Sequence, residues 1–192
     1  MKVSIESWRV LDGAGNVIVL DGNDRGLAYG DGLFETMRIH DGRPVWWREH
    51  WQRLARGAGV LGIPVPDETA IAAQCMELIA GRSSGVLKLV LTRGVGGRGY
   101  ALPEQARTTV VLSWHPLPAP EPGDGLNLRW CQLRLSEQPL LAGIKHLNRL
   151  ENVLARAEWS DPDVHEGLLC DARGRLVSAT SSNVLVHLDG RW

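Results

Sequence analysis

Three lysines stand among the 21 Lys+Arg residues of this chain: Lys2, Lys88 and Lys145. Positive charge here is otherwise carried by arginine, so a retained lysine points to work that arginine cannot do. A guanidinium stays protonated, whereas an ammonium that loses its proton becomes a nucleophile able to form a Schiff base. Lys145 is the best placed of the three. It follows the apolar run Leu140-Leu141-Ala142-Gly143-Ile144 and precedes a segment that reads as a helix from Asn148. Apolar surroundings disfavour the charged amine, and so does the positive end of a helix dipole. The bland alternative is a lysine that snorkels from an apolar segment to water.

A second cluster is the loop Gly94-Val95-Gly96-Gly97-Arg98-Gly99-Tyr100. Its glycines suggest a phosphate cradle, but it lacks the Gly-Lys-Ser/Thr ending of a P-loop and joins two apolar runs rather than opening a helix. A flexible loop carrying Arg98 and Tyr100 suits a carboxylate, which arginine grips as a fork. A solvated hairpin loop accounts for the same glycines.

These groups need a scaffold. Val17–Leu20 reads as a short strand. Leu33–Ile39 and Pro44–Trp47 flank His40-Asp41-Gly42-Arg43, and Asp-Gly between such runs signals a hairpin. The spacing predicts a helix over residues 48–61, carrying His50, Arg53, Leu54 and Gly57. It predicts a second helix, N-capped by Asp67, to about Ala80. Val86–Thr92 and Thr108–Trp114 read as buried strands around the glycine loop. Further on, Leu126–Leu133 is an expected strand. Asn148–Trp159 is an expected helix with Asn148 and Glu151 in capping-box spacing and an apolar stripe of Leu150, Val153, Leu154 and Ala157. Gly167–Cys170, Arg175–Ser178 and Val184–Leu188 are expected strands.

Pro116-Leu117-Pro118-Ala119-Pro120-Glu121-Pro122-Gly123 cannot be a helix and is a poor sheet segment. It divides the chain into an N-terminal α+β domain at 1–115, a linker at 116–123 and a C-terminal domain at 124–192. Leu188-Asp189-Gly190-Arg191-Trp192 begins a hairpin turn whose returning strand is missing. An unpaired strand edge is a poor end for a domain, so the chain is expected to be C-terminally truncated.

Composition excludes several classes. The 192 residues are 44% hydrophobic and 22% charged, which is ordinary for a globular protein. A formal net charge of -1 gives no basic field for nucleic acid or membrane. Met1–Val10 lacks an apolar signal core, and no apolar run approaches the roughly 20 residues that span a bilayer. Cys75, Cys131 and Cys170 fit neither a disulfide framework nor a metal site. They suggest a reducing compartment and a cytoplasmic protein. Trp46, Trp47 and Trp51 cluster among eight tryptophans, and burial of these rings is expected.

Three segments resemble the fold-type IV pyridoxal-phosphate enzymes, the class of branched-chain and D-amino-acid aminotransferases. They are Asp24-Arg25-Gly26-Leu27-Ala28-Tyr29-Gly30-Asp31-Gly32-Leu33-Phe34-Glu35-Thr36, His50-Trp51-Gln52-Arg53-Leu54 and Lys145-His146-Leu147-Asn148. Within that class, Gly94–Tyr100 and Leu141–Glu151 are most similar to the aminodeoxychorismate lyases. The resemblance covers essentially the whole chain. It implies a two-domain α+β fold with the second domain incomplete. It implies that Lys145 holds pyridoxal 5'-phosphate and later acts as the base at the substrate's amine-bearing carbon. Arg53 would bind the cofactor phosphate, Glu35 and Thr36 would sit at the floor of the site, and Arg98 and Tyr100 would lie on the substrate side. The implied reaction releases 4-aminobenzoate and pyruvate from 4-amino-4-deoxychorismate, in folate biosynthesis, in a homodimer.

Two departures qualify this. The family usually carries a glutamate, which pairs with the cofactor's ring nitrogen, five residues before the position of Asn183; here that position is Ser178. A hydroxyl cannot stabilise a protonated ring nitrogen as a carboxylate does, so the cofactor would be a weaker electron sink. The family chain also continues into a helix whose N-terminal amides grip the phosphate. Two rivals follow: an aminotransferase of D- or branched-chain amino acids, and a catalytically inactive fragment or homologue that only binds or oligomerises.

Overall fold

The computed structural model describes residues 8–118, 123 and 125–192. They fall into two compact units, one formed by the chain up to Pro118 together with Leu140–Leu147, the other by the rest through Asn148–Trp192. The division is therefore not a single cut: Leu140–Leu147, expected in the second domain, belongs with the first unit. Residues 119–122 of the proline-rich segment and residue 124 lie outside the described residues, as does 1–7 of the N-terminal segment.

The first unit is an antiparallel sheet in the order β1-β5-β4-β2-β3, with β1 Trp8–Asp12, β2 Gly32–His40, β3 Arg43–Pro44, β4 Ser84–Thr92 and β5 Thr109–His115. Alternation sets its two faces. Leu33, Glu35, Met37 and Ile39 of β2 and Leu87, Leu89 and Leu91 of β4 are all buried, while the residues between them face outward. The inner face carries helix α2 (Trp47–Leu61) and helix α3 (Glu68–Leu78), which contribute Trp51, Leu54, Ala58, Ile71, Cys75 and Leu78 to one core. Asp67 caps α3 as expected, its side chain accepting from Ala70 N at 2.8 Å. The Asp41-Gly42 turn has φ of 48° and 72°, the left-handed pair of a tight hairpin whose twist matches its strands.

Several expectations are corrected. The strand after the hairpin is only Arg43–Pro44, because Trp46 turns left-handed (φ 55°) and starts α2. Trp51 is buried and stacks on Trp47 at 5.6 Å, but Trp46 is 73% exposed. Val17–Leu20 forms no strand beyond a single bridge from Val17 to Leu11, and all four residues are exposed. A short helix α1 (Arg25–Tyr29) lies in the first resembling segment.

The second unit is a three-stranded sheet, β6-β7-β8, of Leu128–Leu135, Glu166–Asp171 and Leu176–Ala179. β6 and β7 are parallel and are joined through α4 (Leu150–Arg156), which packs on both. Its core is small: Cys131, Ala155, Trp159 and Leu169. The expected apolar stripe of α4 is turned outward, with Leu150, Val153 and Leu154 exposed; small Ala155 faces the sheet, and Trp159 beyond the helix supplies the bulk. The expected capping box is absent. Arg149 precedes the helix without a side-chain cap, and Glu151 Oε1 instead accepts from Ser136 N at 2.8 Å. Val184–Leu188 forms no strand; Leu188 bridges only to Arg191 across the Asp189-Gly190 turn. All three cysteines are free and buried, and burial pushes the Cys75 thiol up to about 12, against the opposing charge of Arg9.

Replacing Asp67 with Ala removes one cap from α3. The midpoint of urea unfolding should fall by the equivalent of about 1 kcal/mol, the usual worth of an N-cap.

Candidate active site

Strand β2 positions most of the site. Its C-terminal half pairs with β3 through Ile39 and His40, which leaves its N-terminal edge open. The segment around Lys145 fills that edge. Phe34 N donates to Lys145 O at 2.9 Å, Leu147 N donates to Gly32 O at 3.0 Å, and Leu33 bridges His146. Opposed residues of an antiparallel pair share a face. Lys145 thus sits on the outer face with Phe34, its Nζ 4.7 Å from the ring centroid. Ile144 packs instead against the inner core. There α2 comes close because residue 57 is glycine: a Cβ would lie 3.0 Å from Leu33 and 3.5 Å from Ile144.

Glu35 and Thr36 are neighbours on β2 and leave it on opposite faces. They cannot share one floor. Thr36 is on the exposed outer face. Glu35 is buried and braces α2: it accepts from Arg53 Nε and Nη2 at 2.7 and 2.5 Å, and its Oε2 lies 2.7 Å from His50 Nδ1. These hydrogen bonds raise the pKa of Arg53 above its ordinary value, partial burial opposing. The pair uses Nε and Nη2 and leaves Nη1, so Arg53 keeps an edge for an anion while Glu35 fixes its direction.

The glycine loop is pinned more firmly than a flexible loop would be. Buried Arg25 donates to the carbonyls of Gly99 and Ala101 at 3.2 Å and of Tyr100 at 3.4 Å. The Tyr29 hydroxyl accepts from Gly99 N, and the rings of Tyr29 and Tyr100 lie 5.3 Å apart. Asp31 is held between Arg25 and Arg93, whose guanidinium also donates to Leu61 O and Gly62 O at the end of α2. Burial pushes Asp31 up, but the two arginines outweigh it and hold its carboxyl below the usual range. With its backbone so held, the loop leaves the side chains of Arg98 and Tyr100 exposed.

In the second unit Ser178 lies on β8 opposite Leu169 of β7, half-buried. The residues after it are organised by a carboxylate that sequence reasoning passed over. Glu166 is buried and accepts from Thr180, from Ser181 N and Oγ, and from Ser182 N and Oγ. Burial pushes its pKa up, but the hydrogen bonds from Thr180, Gly167, Ser181 and Ser182 prevail and hold it at about 2. The run Ser178-Ala179-Thr180-Ser181-Ser182 contained the signal, since hydroxyls in series next to a sheet need an acceptor. Arg25, Asp31 and Arg93 were likewise missed; charges packed between glycines in 24–32 were the trace of the first two. Among the described residues no cluster suits a metal ion, and no helix is long and apolar enough to cross a membrane.

This is the fold of the fold-type IV enzymes, with the chain covering part of it. The pattern of the Amino-transferase class IV family matches residues 32–192, and the chain belongs to that family. It is 33% identical over 164 residues to the aminodeoxychorismate lyase of Vibrio harveyi, covering 84% of this chain and 60% of that protein. It superposes with a TM-score of 0.86 on the crystal structure of 4-amino-4-deoxychorismate lyase from Pseudomonas aeruginosa, at 48% identity over 95% of this chain and 68% of that one. A hypothetical aminotransferase from Mycobacterium tuberculosis, solved in a PLP-bound form, shares the fold at TM-score 0.70 and 22% identity, over 90% and 65% of the two chains. The chain thus spans about 60% of the length of the Vibrio harveyi lyase.

The Glu166 latch has a defined pH dependence. Its folded pKa, about 2, lies below the ordinary carboxylate value near 4.3, so its contribution is complete above that value and disappears as pH falls towards 2. Thermal unfolding should show wild type more stable than Glu166→Gln near neutral pH, by up to about 3 kcal/mol, with the gap closing between about pH 5 and pH 2.

Proposed function

We propose that the chain is the larger part of a pyridoxal-phosphate-dependent lyase that converts 4-amino-4-deoxychorismate to 4-aminobenzoate and pyruvate, a step of folate biosynthesis, and that it works as a homodimer. What chiefly supports the reading is the Lys145 segment docked on β2. The likeness to the Pseudomonas aeruginosa lyase covers 95% of the chain.

The donor set of the first unit suits the cofactor. Lys145 offers an amine for its aldehyde, and Arg53, oriented by Glu35, offers a guanidinium edge for its phosphate. Bound there, the cofactor would supply an electron sink conjugated to the substrate's amine-bearing carbon. Lys145 Nζ would then serve as the base for the proton on that carbon. As the proton leaves, the carbon–oxygen bond to the enolpyruvyl group breaks, the ring becomes aromatic, and the departing enolpyruvate takes up a proton to become pyruvate. Arg98 and Tyr100, on their pinned loop, are the groups proposed to receive substrate carboxylate. Ser178 is proposed to hydrogen-bond the ring nitrogen without charging it.

The family also contains aminotransferases, and the sink at Ser178 decides between the activities. An aminotransferase moves the substrate's electrons through the cofactor ring in both half-reactions, and a neutral ring nitrogen slows that. A lyase loses less, because aromatisation helps drive elimination. Ser178→Glu should therefore raise transamination of D-alanine with 2-oxoglutarate, while wild type shows little; unchanged transamination in the variant would sink the electron-sink argument.

The direct test adds pyridoxal phosphate to the purified chain. Wild type should develop the visible absorbance of lysine-bound cofactor and release 4-aminobenzoate from aminodeoxychorismate; Lys145→Ala should do neither. A band that persists in Lys145→Ala excludes Lys145 as the attachment point.

A further inference from the structure

Two of the three lysines meet at one ring. Phe34 is the only phenylalanine of the chain. Lys145 Nζ lies 4.7 Å from its centroid and Lys88 Nζ 5.5 Å. Both belong to the first unit and to the outer face of its sheet. Lys88 stands at the centre of a cross-strand row, opposite Thr36 of β2 on one side and Ser113 of β5 on the other. The next row outward-facing on the same strands is Phe34, Val90 and Val111, and the row beyond Lys88 brings Arg38 against Val86.

The charge on this face is one-sided. Phe34, Thr36, Arg38 and His40 of β2, Ser84, Val86, Lys88 and Val90 of β4, and Val111, Ser113 and His115 of β5 include no carboxylate. Two carboxylates reach the far end of the face: Asp24 is spent on Gly26 N and Thr92 Oγ1, and Asp12 of β1, opposite Thr109, accepts from Ala14 N and Asn16. The acid of β2, Glu35, points the other way. Among the described residues Lys88 has no acidic partner to answer its charge. An ammonium beside a hydroxyl and an apolar ring is a site for an anion carried on a flat hydrocarbon body.

We infer that Lys88, with Thr36, binds the second carboxylate of a cyclic dicarboxylate substrate whose ring lies against Phe34 and whose amine is served by Lys145. Lys88 is then a specificity-determining residue that favours a dianionic ring acid over the monocarboxylic amino acids used by aminotransferases. The inference deepens the lyase reading and rests on it for the choice of substrate. Its geometric basis, two lysine side chains over one ring on rows of β2, β4 and β5 that carry no carboxylate, is independent of the reaction.

Chorismate, a cyclohexadiene with two carboxylates, and shikimate, a cyclohexene with one, serve as probes by calorimetric titration of the cofactor-loaded chain. Wild type should prefer chorismate. Lys88→Met should weaken chorismate roughly tenfold to hundredfold, the worth of one charge-assisted hydrogen bond, leave shikimate within twofold, and keep the cofactor absorbance. Lys88→Arg should restore most of the preference. In turnover of aminodeoxychorismate, Lys88→Met should raise KM by a similar factor with kcat little changed. Equal losses for both probes, or an unchanged KM in Lys88→Met, overturn the inference and leave the lyase reading standing. Lys88-dependent chorismate binding by a wild type that releases no 4-aminobenzoate would overturn the lyase reading and leave the carboxylate site standing.

Discussion

The site depends on one edge of one strand. β2 has its full length paired to β4, but on its other side β3 reaches only Ile39 and His40. Unpaired backbone groups at such an edge need partners. Residues 145–147 supply them, although more than a hundred residues separate them from β2 in sequence. The pairing fixes the direction of every side chain in the annexed segment. Ile144 goes to the core beside Gly57, and Lys145 goes to the outer face beside Phe34. A lysine on a free loop would sample many directions. Here two backbone hydrogen bonds and the partly buried Ile144 constrain it, as the role proposed for Lys145 requires.

The buried acids follow one rule. Glu35 and Glu166 are buried and Asp31 is partly so, and each is surrounded by hydrogen-bond donors. Asp31 has two arginines, Glu35 an arginine and a histidine, and Glu166 a series of amides and hydroxyls. Such groups contribute less to net stability than to definition, because removing one partner leaves a buried charge exposed to its full desolvation cost. Each therefore ties two segments that must not drift: the glycine loop to the end of α2, α2 to β2, and β7 to the loop after β8.

Where a local signal dominated, the sequence was readable. The alternation of β2 and β4, the Asp-Gly hairpin and the Asp67 cap depend on neighbouring residues and were legible. Val17–Leu20 and Val184–Leu188 have strand composition, but a strand needs a partner, and pairing is a tertiary fact. The turn of α4 was misjudged because its largest apolar residues were taken for its buried face. Packing against β6 and β7 selected small Ala155 instead, and Glu151 went to Ser136 rather than to a cap. Lys145 could be singled out by scarcity, but the role inferred for Lys88 could not. Nothing in the sequence places residue 88 beside residue 34 until the register of β2 and β4 is known.

That register also separates the charges. Alternation along β2 sends Phe34, Thr36 and Arg38 outward and Glu35 inward, where it orients Arg53 of α2. A slip of one residue would exchange the faces, placing Glu35 beside Lys145 and a phenylalanine among the helices. Arg53 would then lose its brace. Two features hold the register: the left-handed pair at Asp41-Gly42, which sets the hairpin, and the burial of Leu33, Met37 and Ile39, which a slip would expose to water. Burying each of those side chains is worth about 2 kcal/mol, so the slipped state is disfavoured by several kcal/mol before any charge is counted. The hydrophobic pattern that folds the first unit is thus the same constraint that keeps its acid and its amines on opposite sides of one sheet.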